Sequence, residues 1–332
     1  MNRSVQGREH FSGRGESATV PASGDELGLE IAGLSDAGLV RSENQDALGY
    51  RVPDPATRRE RGALFVVCDG IGTLSAGQDA SDLAVGVFTE AFYASAPDDP
   101  EQMLRRAAAH ANAELLRARS RYESGARLGS TLVSALIRGR QYYVLNVGDS
   151  RAYICRDGDL RQVSRDHSPA YGRGAGDRRI SRALGVDQQV RPDVFGPHPL
   201  APGDDLLLCS DGLTTSVPEP AIRRVIGRSR PSEAAALLVE RAKTAGAHDN
   251  ITVLLVRIGA PGTRAPAETP GAWSNWEARL RSLLRGVTWE KISPIRALAN
   301  EGWRTPRGLL IGTVWLLGAM AIGVLIGRLF GR

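Results

Sequence analysis

Leu64-Phe65-Val66-Val67-Cys68-Asp69-Gly70 is the stretch from which the architecture is read. Four apolar residues and a cysteine run straight into a carboxylate and a glycine. A continuous apolar run closed in this way predicts a short strand covered on both faces. Asp69 then stands where the strand ends, held by a rigid element. Gly70 lets the chain turn sharply and brings a backbone carbonyl close to whatever the carboxylate holds. The construction returns at Leu206-Leu207-Leu208-Cys209-Ser210-Asp211-Gly212. Two such strands, as neighbours, aim two carboxylates at one place, which is how oxygen ligands surround a hard cation. Taken singly, an Asp-Gly pair is as well explained as a turn.

The 332 residues suffice for one large domain or two ordinary ones. A hydrophobic content of 42% allows a sizeable core, and 24% charged residues is ordinary for a globular domain. The net charge of +5 sits largely in Arg-rich segments outside the expected core, and aromatic residues, at 5%, do not cluster among basic ones. That pattern argues against nucleic-acid binding and for a basic segment beside a membrane. Cys68, Cys155 and Cys209 are far apart and lack CxxC spacing, so they read as small core residues in a reducing compartment. Residues 1–26 are polar, rich in Gly, Ser and Arg, and lack the apolar stretch of a secretory signal. They are expected to form a disordered arm.

Outward from Asp69, a first strand is expected over Leu27 to Gly33, and an exposed loop over Val52 to Arg61. Helices are expected from Gln78 to Tyr93 and from Glu101 to Tyr122. Gly129 to Ile137 and Gln141 to Val147 read as strands, followed by a hairpin from Ala152 to Val163 turning at Asp157-Gly158. Asp166 to Arg182 reads as a mobile surface loop. Strands at Val190 to Phe195, Asp205 to Cys209 and Ile251 to Ile258 complete the pattern, with helices at Pro218 to Ile226 and Ser232 to Ala245. Many strands in antiparallel runs with paired helices, and no regular βαβ alternation, predict an α+β fold. Its natural form is a four-layer α-β-β-α sandwich, two antiparallel sheets flanked by helices.

Composition shifts at Pro261, so the sandwich domain is expected to span 27–260. A basic linker, 261–307, carries Trp273, Trp276, Trp289 and Trp303. Trp276, Leu280, Leu283 and Leu284 are spaced for an amphipathic helix on a membrane surface, or equally for an ordinary solvated linker helix. Residues 308–327 carry no charge and are long enough to cross a bilayer as one helix. Lys291, Arg296, Arg304 and Arg307 precede that span, against Arg328 and Arg332 after it. The excess predicts a single-pass protein of a plasma or inner membrane with its bulk on the cytoplasmic side.

Five acidic positions stand at the ends of strands or in loops: Asp46, Asp69, Asp149, Asp211 and Asp249. Such a group needs cations to offset its repulsion. With no His/Cys cluster, oxygen ligands favour Mg²⁺ or Mn²⁺ over zinc. A paired-cation site suits in-line attack of an activated water on phosphorus, and the forked donors of Arg41 suit a phosphate.

The ordered motifs are Ser35-Asp36, Arg41, Asn44-Gln45-Asp46, Val67-Cys68-Asp69-Gly70, Gly77, Ala80-Ser81, Gly129-Ser130-Thr131, Asn146-Val147-Gly148-Asp149-Ser150-Arg151, Asp166-His167-Ser168, Ser210-Asp211-Gly212-Leu213 and His248-Asp249-Asn250-Ile251-Thr252. In this order, from about Leu29 to Ile258, the chain resembles the metal-dependent protein Ser/Thr phosphatases, the PPM (type 2C) family, in its bacterial form. The resemblance implies a β-sandwich with helices on its outer faces. It implies that Asp46, Asp69, Asp211 and Asp249 surround two Mn²⁺ or Mg²⁺ ions, some directly and some through water, with the Gly70 carbonyl. Arg41 matches the phosphate-binding arginine, and Asp149 a ligand of a third, weaker metal, although Asp149 reads equally as the cap of its own turn. The implied partners are phosphorylated Ser/Thr proteins and an opposing protein kinase, the implied catalytic domain is monomeric, and no phosphoenzyme is involved.

The chain departs from the family where Ile71-Gly72-Thr73-Leu74-Ser75 replaces the usual Met-Gly-Gly-His continuation, so no histidine stands there as general acid and water is left to protonate the leaving oxygen. Thr214 and Thr215 stand where another acidic residue often follows, which weakens the third site, and His167 to Leu184 is shorter than the usual flap. A phosphatase-like domain that only binds phosphoproteins is the alternative, and a phosphohydrolase of small molecules a weaker one. His167 and His248 are expected to be structural hydrogen-bonders.

Overall fold

Each apolar run becomes a strand buried by period-two alternation. The computed structural model describes residues 8–12, 16–20, 27–72, 75–119, 128–167 and 181–259. The strands are β1 (Arg8–Ser12), β2 (Glu16–Val20), β3 (Gly28–Asp36), β4 (Asp46–Val52), β5 (Ala63–Gly72), β6 (Leu128–Ser130) and β7 (Leu132–Arg138). They continue with β8 (Gln141–Val147), β9 (Arg151–Arg156), β10 (Asp159–Gln162), β11 (Asp193–Pro199), β12 (Asp205–Cys209) and β13 (Ile251–Gly259). The helices are α1 (Pro55–Arg61), α2 (Ser75–Ala94), α3 (Pro100–Arg119), α4 (Asp211–Ser216), α5 (Glu219–Ile226) and α6 (Pro231–Thr244).

Two antiparallel sheets result. One runs β1-β4-β5-β7-β8-β11, with β6 pairing the far end of β5, and the other runs β10-β9-β12-β13-β3-β2. In β5, Phe65 and Val67 enter the core between the sheets, where Leu206 and Leu208 of β12 also lie. Leu64, Val66 and Cys68 face the other way, with Ala80, Ala84, Phe88 and Phe92 of α2 and Leu104 and Leu115 of α3. Leu207 and Cys209 of β12 turn outward against Leu213, Ile222 and Leu238 of α4, α5 and α6. Strands buried on both faces make three apolar layers and hence four layers of backbone. On α2 the buried residues recur every fourth position, Ala76, Ala80, Ala84, Phe88 and Phe92. Small residues at its start let the helix lie close over the sheet near Asp69.

The structure corrects the sequence reading at several points. β5 and β12 are not paired neighbours; they belong to opposite sheets. Part of the expected disordered arm is strand: β1 pairs β4, and β2 pairs β3 from Glu16↔Gly33 to Val20↔Leu29. Edge strands need only backbone partners, and Ala18 with Val20 adds to the inter-sheet core. The expected loop at Val52 to Arg61 holds α1, started by Asp54, whose carboxylate accepts from Ala56 N at 3.0 Å and Thr57 N at 3.2 Å. Pro55 is tolerated in that first turn because its missing N–H would have no helical partner. Asp166 and His167 are not loose: Arg151 grips Asp166 with a 2.7 Å contact, and His167 is buried. The expected hairpin turn is observed, with positive φ at Asp157 and Gly158 as a type I′ turn requires. The linker 261–307 and the apolar span 308–327 lie outside the described residues. Among the described residues no helix is long and apolar enough to cross a membrane.

Candidate metal centre

Asp46 opens β4 and Asp69 lies near the end of β5, and the register sets them directly opposite one another. Like charges facing across a strand pair repel. Asp46 is buried, and Ser210 Oγ donates to its Oδ2 at 2.7 Å. Its Oδ1 is buried with no hydrogen-bond partner among the described residues. Burial raises the Asp46 carboxyl to about 6, against the opposing pull of hydrogen bonds from Ser210 and Thr252. Asp69 is held well above the usual carboxylate range, first by burial and then by Asp46, Asp211, Asp249 and Asp149. All five predicted acids therefore act on one neighbourhood. As the side chains stand, no three His, Cys, Asp or Glu among the described residues close round a single point.

Backbone contacts position this cluster. Thr131 Oγ1 accepts from Asp69 N at 2.8 Å, and Thr131 N donates to Asp69 O at 2.8 Å. Thr131 Oγ1 also shares a hydrogen with Ser150 Oγ at 2.7 Å, tying the Gly129-Ser130-Thr131 motif to the turn that carries Asp149. In that turn Gly148 has φ +109 and a Cβ there would meet Thr131 Cγ2 at 2.6 Å. His167 Nδ1 accepts from Gly148 N at 3.1 Å, and its Nε2 lies 3.1 Å from Asp193 Oδ2 and 3.3 Å from Arg182 Nη1. His167 is thus a structural hydrogen-bonder, as expected. At Gly70 a Cβ would lie 1.9 Å from Gly77 O and 2.7 Å from Gln45 O, so the close approach of three backbones requires glycine.

Asp211 is the first residue of α4, a helix that the sequence reading missed, and Gly212 packs so close to Asn250 O that a Cβ would stand at 2.0 Å. Asp249 Oδ2 accepts from Arg41 Nη2 at 2.9 Å, and its Oδ1 accepts from Asn250 N at 2.9 Å. Arg41 thus reaches the acid cluster, paired there with a carboxylate.

Two positioning residues escaped the sequence reading. Asn250 donates from Nδ2 to Ala37 O and Glu43 O, and accepts at Oδ1 from Gln45 N at 2.8 Å, so one carboxamide pins the loop that carries Arg41. Ser210 Oγ accepts from Thr252 N at 2.9 Å while donating to Asp46. Thr252 Oγ1 meets Ser35 Oγ at 2.7 Å, which accepts from Asn44 Nδ2 at 2.8 Å. The available signal was a set of small polar residues inside apolar strands, a pattern that burial tolerates only when hydrogen-bonded.

The donor set fits a hard divalent ion: carboxylates from several segments, an orphaned buried Asp46 oxygen and a backbone cradle at Gly70. Cys68 and Cys209 take no part, being buried in the helix-facing layers with their thiols raised by burial.

An all-oxygen acid cluster in an α-β-β-α sandwich defines a metal-dependent phosphatase. Residues 40–241 match the family model described as protein phosphatase 2C, and the chain belongs to that family. It is a serine/threonine phosphatase of the PPM type, a family whose members use Mn²⁺ or Mg²⁺. The serine/threonine phosphatase stp of Listeria monocytogenes is 34% identical over 67% of this chain and 93% of its own length. PstP of Mycobacterium tuberculosis is 30% identical over 70% of this chain and 45% of its own length. Among solved structures, PppA, described as a key regulatory component of T6SS in Pseudomonas aeruginosa, is 35% identical with a TM-score of 0.59, over 69% of this chain and 97% of its own. The catalytic domain of PstP, described in complex with 2 manganese ions, is 29% identical with a TM-score of 0.60, over 70% of this chain and 99% of its own.

Proposed function

We propose that this chain is a membrane-anchored phosphoprotein phosphatase that removes phosphate from serine and threonine at a two-metal site. Asp46, Asp69, Asp211 and Asp249 hold the two ions, some directly and some through water, with the Gly70 carbonyl, and Asp149 serves a weaker third. When bound, the ions supply an activated water for in-line attack on phosphorus. Ser210 keeps Asp46 oriented through Oδ2 and leaves Oδ1 for an ion. Arg41 holds the phosphate with its forked donors, and Asp249 with Asn250 keeps Arg41 at the cluster. The carrying observation is that Asp46 and Asp69 face one another across the β4–β5 pair, with Asp46 Oδ1 buried and without a hydrogen-bond partner among the described residues. The test is phosphate release from a phosphothreonine peptide by the full chain with Mn²⁺, with chelator and with Asp211→Asn. Release that requires Mn²⁺ and is lost in the variant supports the reading; release that survives the chelator overturns it.

The anchor is the uncharged stretch 308–327 with its basic flank, which keeps the phosphatase domain on the cytoplasmic side opposite a Ser/Thr kinase. Cell fractionation of the full chain against one ending at Pro270 tests it: loss of membrane association on truncation is expected, and recovery of both in the soluble fraction would remove the anchor.

A further inference from the structure

Gly148 is held at both of its polar backbone groups by a single residue. Its N–H donates to His167 Nδ1 at 3.1 Å, and its carbonyl accepts from His167 N at 2.8 Å. Asn146 Nδ2 donates to the same carbonyl at 3.1 Å and to Arg165 O at 2.8 Å, which laces the end of β8 to the segment before His167. His167 and Asn146 are both buried. The outer edge of the imidazole is fixed as well. Its Nε2 lies 3.1 Å from Asp193 Oδ2, and Arg182 Nη1 donates to Asp193 Oδ1 at 2.9 Å. Asp193 opens β11 and stands opposite Asn146 in the β8–β11 register.

The residue that follows this glycine is Asp149. Gly148, at φ +109, occupies a backbone region that glycine enters and leaves at little cost, so an unheld Gly148 would swing the turn freely. On the other side of Asp149, Ser150 Oγ meets Thr131 Oγ1 at 2.7 Å. Asp149 is therefore carried between two fixed points, one on the ring of His167 and one on the threonine that also holds Asp69. The fixing has a force to resist. After burial, Asp149 is among the carboxylates that raise Asp69, and repulsion of like charges drives Asp149 away from the cluster.

We propose that His167 is a positioning residue of the metal centre: its ring acts through Gly148 to keep the Asp149 carboxylate in place for the weaker ion, and so sets how tightly that ion is held. The inference rests on the metal-centre reading and deepens it. The ring works from its two nitrogens in different ways. Nδ1 holds the glycine, and Nε2 is braced by Asp193, which keeps Nδ1 aimed. Groups that orient a metal ligand without touching the metal typically change affinity by about tenfold or more when removed.

The experiment titrates the metal-stripped full chain with Mn²⁺ and reads the free ion by electron paramagnetic resonance. Asp149→Asn should abolish the weakest phase of binding, which identifies that phase. His167→Gln places its carboxamide where Nε2 stood and leaves Gly148 N without its acceptor, so the weakest phase should be about tenfold weaker. His167→Asn places a carbonyl oxygen where Nδ1 stood and should bind that ion as the unaltered chain does. Both substitutions remove the ring, so a histidine that only fills the core would lose the phase equally in both. An equal loss, or no loss in His167→Gln, would overturn the proposal. If circular dichroism shows that His167→Gln does not fold, Asn146→Ala decides, since it keeps the ring and removes a donor from Gly148 O. A weakened phase supports the proposal, and an unchanged one overturns it. A titration with no phase that responds to Asp149→Asn would instead overturn the reading of Asp149 as a metal ligand, and the proposal with it.

Discussion

β12 has a carboxylate problem at each end and solves it in two ways. Asp204, just before the strand, is buried and gripped by Arg156 through contacts of 2.7 and 2.6 Å. Asp205, its first residue, is buried against Arg257 at 2.8 and 3.1 Å. At the far end, Asp211 joins Asp46, Asp69, Asp149 and Asp249 in a cluster toward which Arg41 extends a single hydrogen bond, to Asp249. The first end carries its counter-charges in the chain; the second is arranged to receive them from solution. A buried carboxylate is therefore no sign of function by itself: Asp204 and Asp205 are matched by Arg156 and Arg257, whereas Asp46 and Asp69 face one another across a strand pair.

The largest effect should come from the cation-accepting end. Asp69→Asn should lower kcat by about a thousandfold or more, because it removes a carboxylate that would hold the ions of the proposed metal centre. Thermal unfolding in chelator should show the variant no less stable than the unaltered protein, since the substitution removes a repelled charge. At the other end the outcome should invert. Arg257→Ala leaves Asp205 buried without its partner and should cost about 2–3 kcal/mol in urea unfolding, with kcat unchanged. A fall in kcat with stability intact would break the contrast.

The pH dependence sharpens it. In the folded, metal-free protein Asp46 titrates near 6, against an ordinary 3.8. A raised folded value means that the folded state holds its proton more tightly than the unfolded one. The destabilisation is therefore absent below about 3.8 and grows as pH rises to about 6. Metal-stripped protein should be more stable at pH 5 than at pH 7.5, by on the order of 1–2 kcal/mol for this one group. Saturating Mn²⁺ should flatten or reverse that trend. The smallest effect is expected from Ser210→Ala, which removes one donor from Asp46 and the acceptor of Thr252 N. It should cost about 1 kcal/mol and weaken Mn²⁺ binding several-fold by titration calorimetry.

The layer plan was legible because β5 and β12 are apolar without interruption, which only a strand covered on both faces needs. The acids were legible because each follows or precedes such a strand. Edge strands β1 and β2 were not, since backbone pairing at an edge leaves a polar sequence polar. Helix α1 was hidden by Pro53, which precedes it, and by Pro55, which its first turn tolerates. Asn250 and Ser210 were visible as motif letters but not as clamps, because their partners lie more than 40 positions away and only the folded sheets bring them together. The opposition of Asp46 to Asp69 depends on register, which neither strand encodes alone.

That opposition has a kinetic consequence. Two facing carboxylates disfavour early closure of the Asp46–Asp69 end of the β4–β5 pair, and bound cations would offset their repulsion. Contacts formed after the barrier govern escape from the native state more than entry to it. Mn²⁺ should therefore slow unfolding while leaving the refolding rate nearly untouched, making the ion a latch that closes behind a chain already folded.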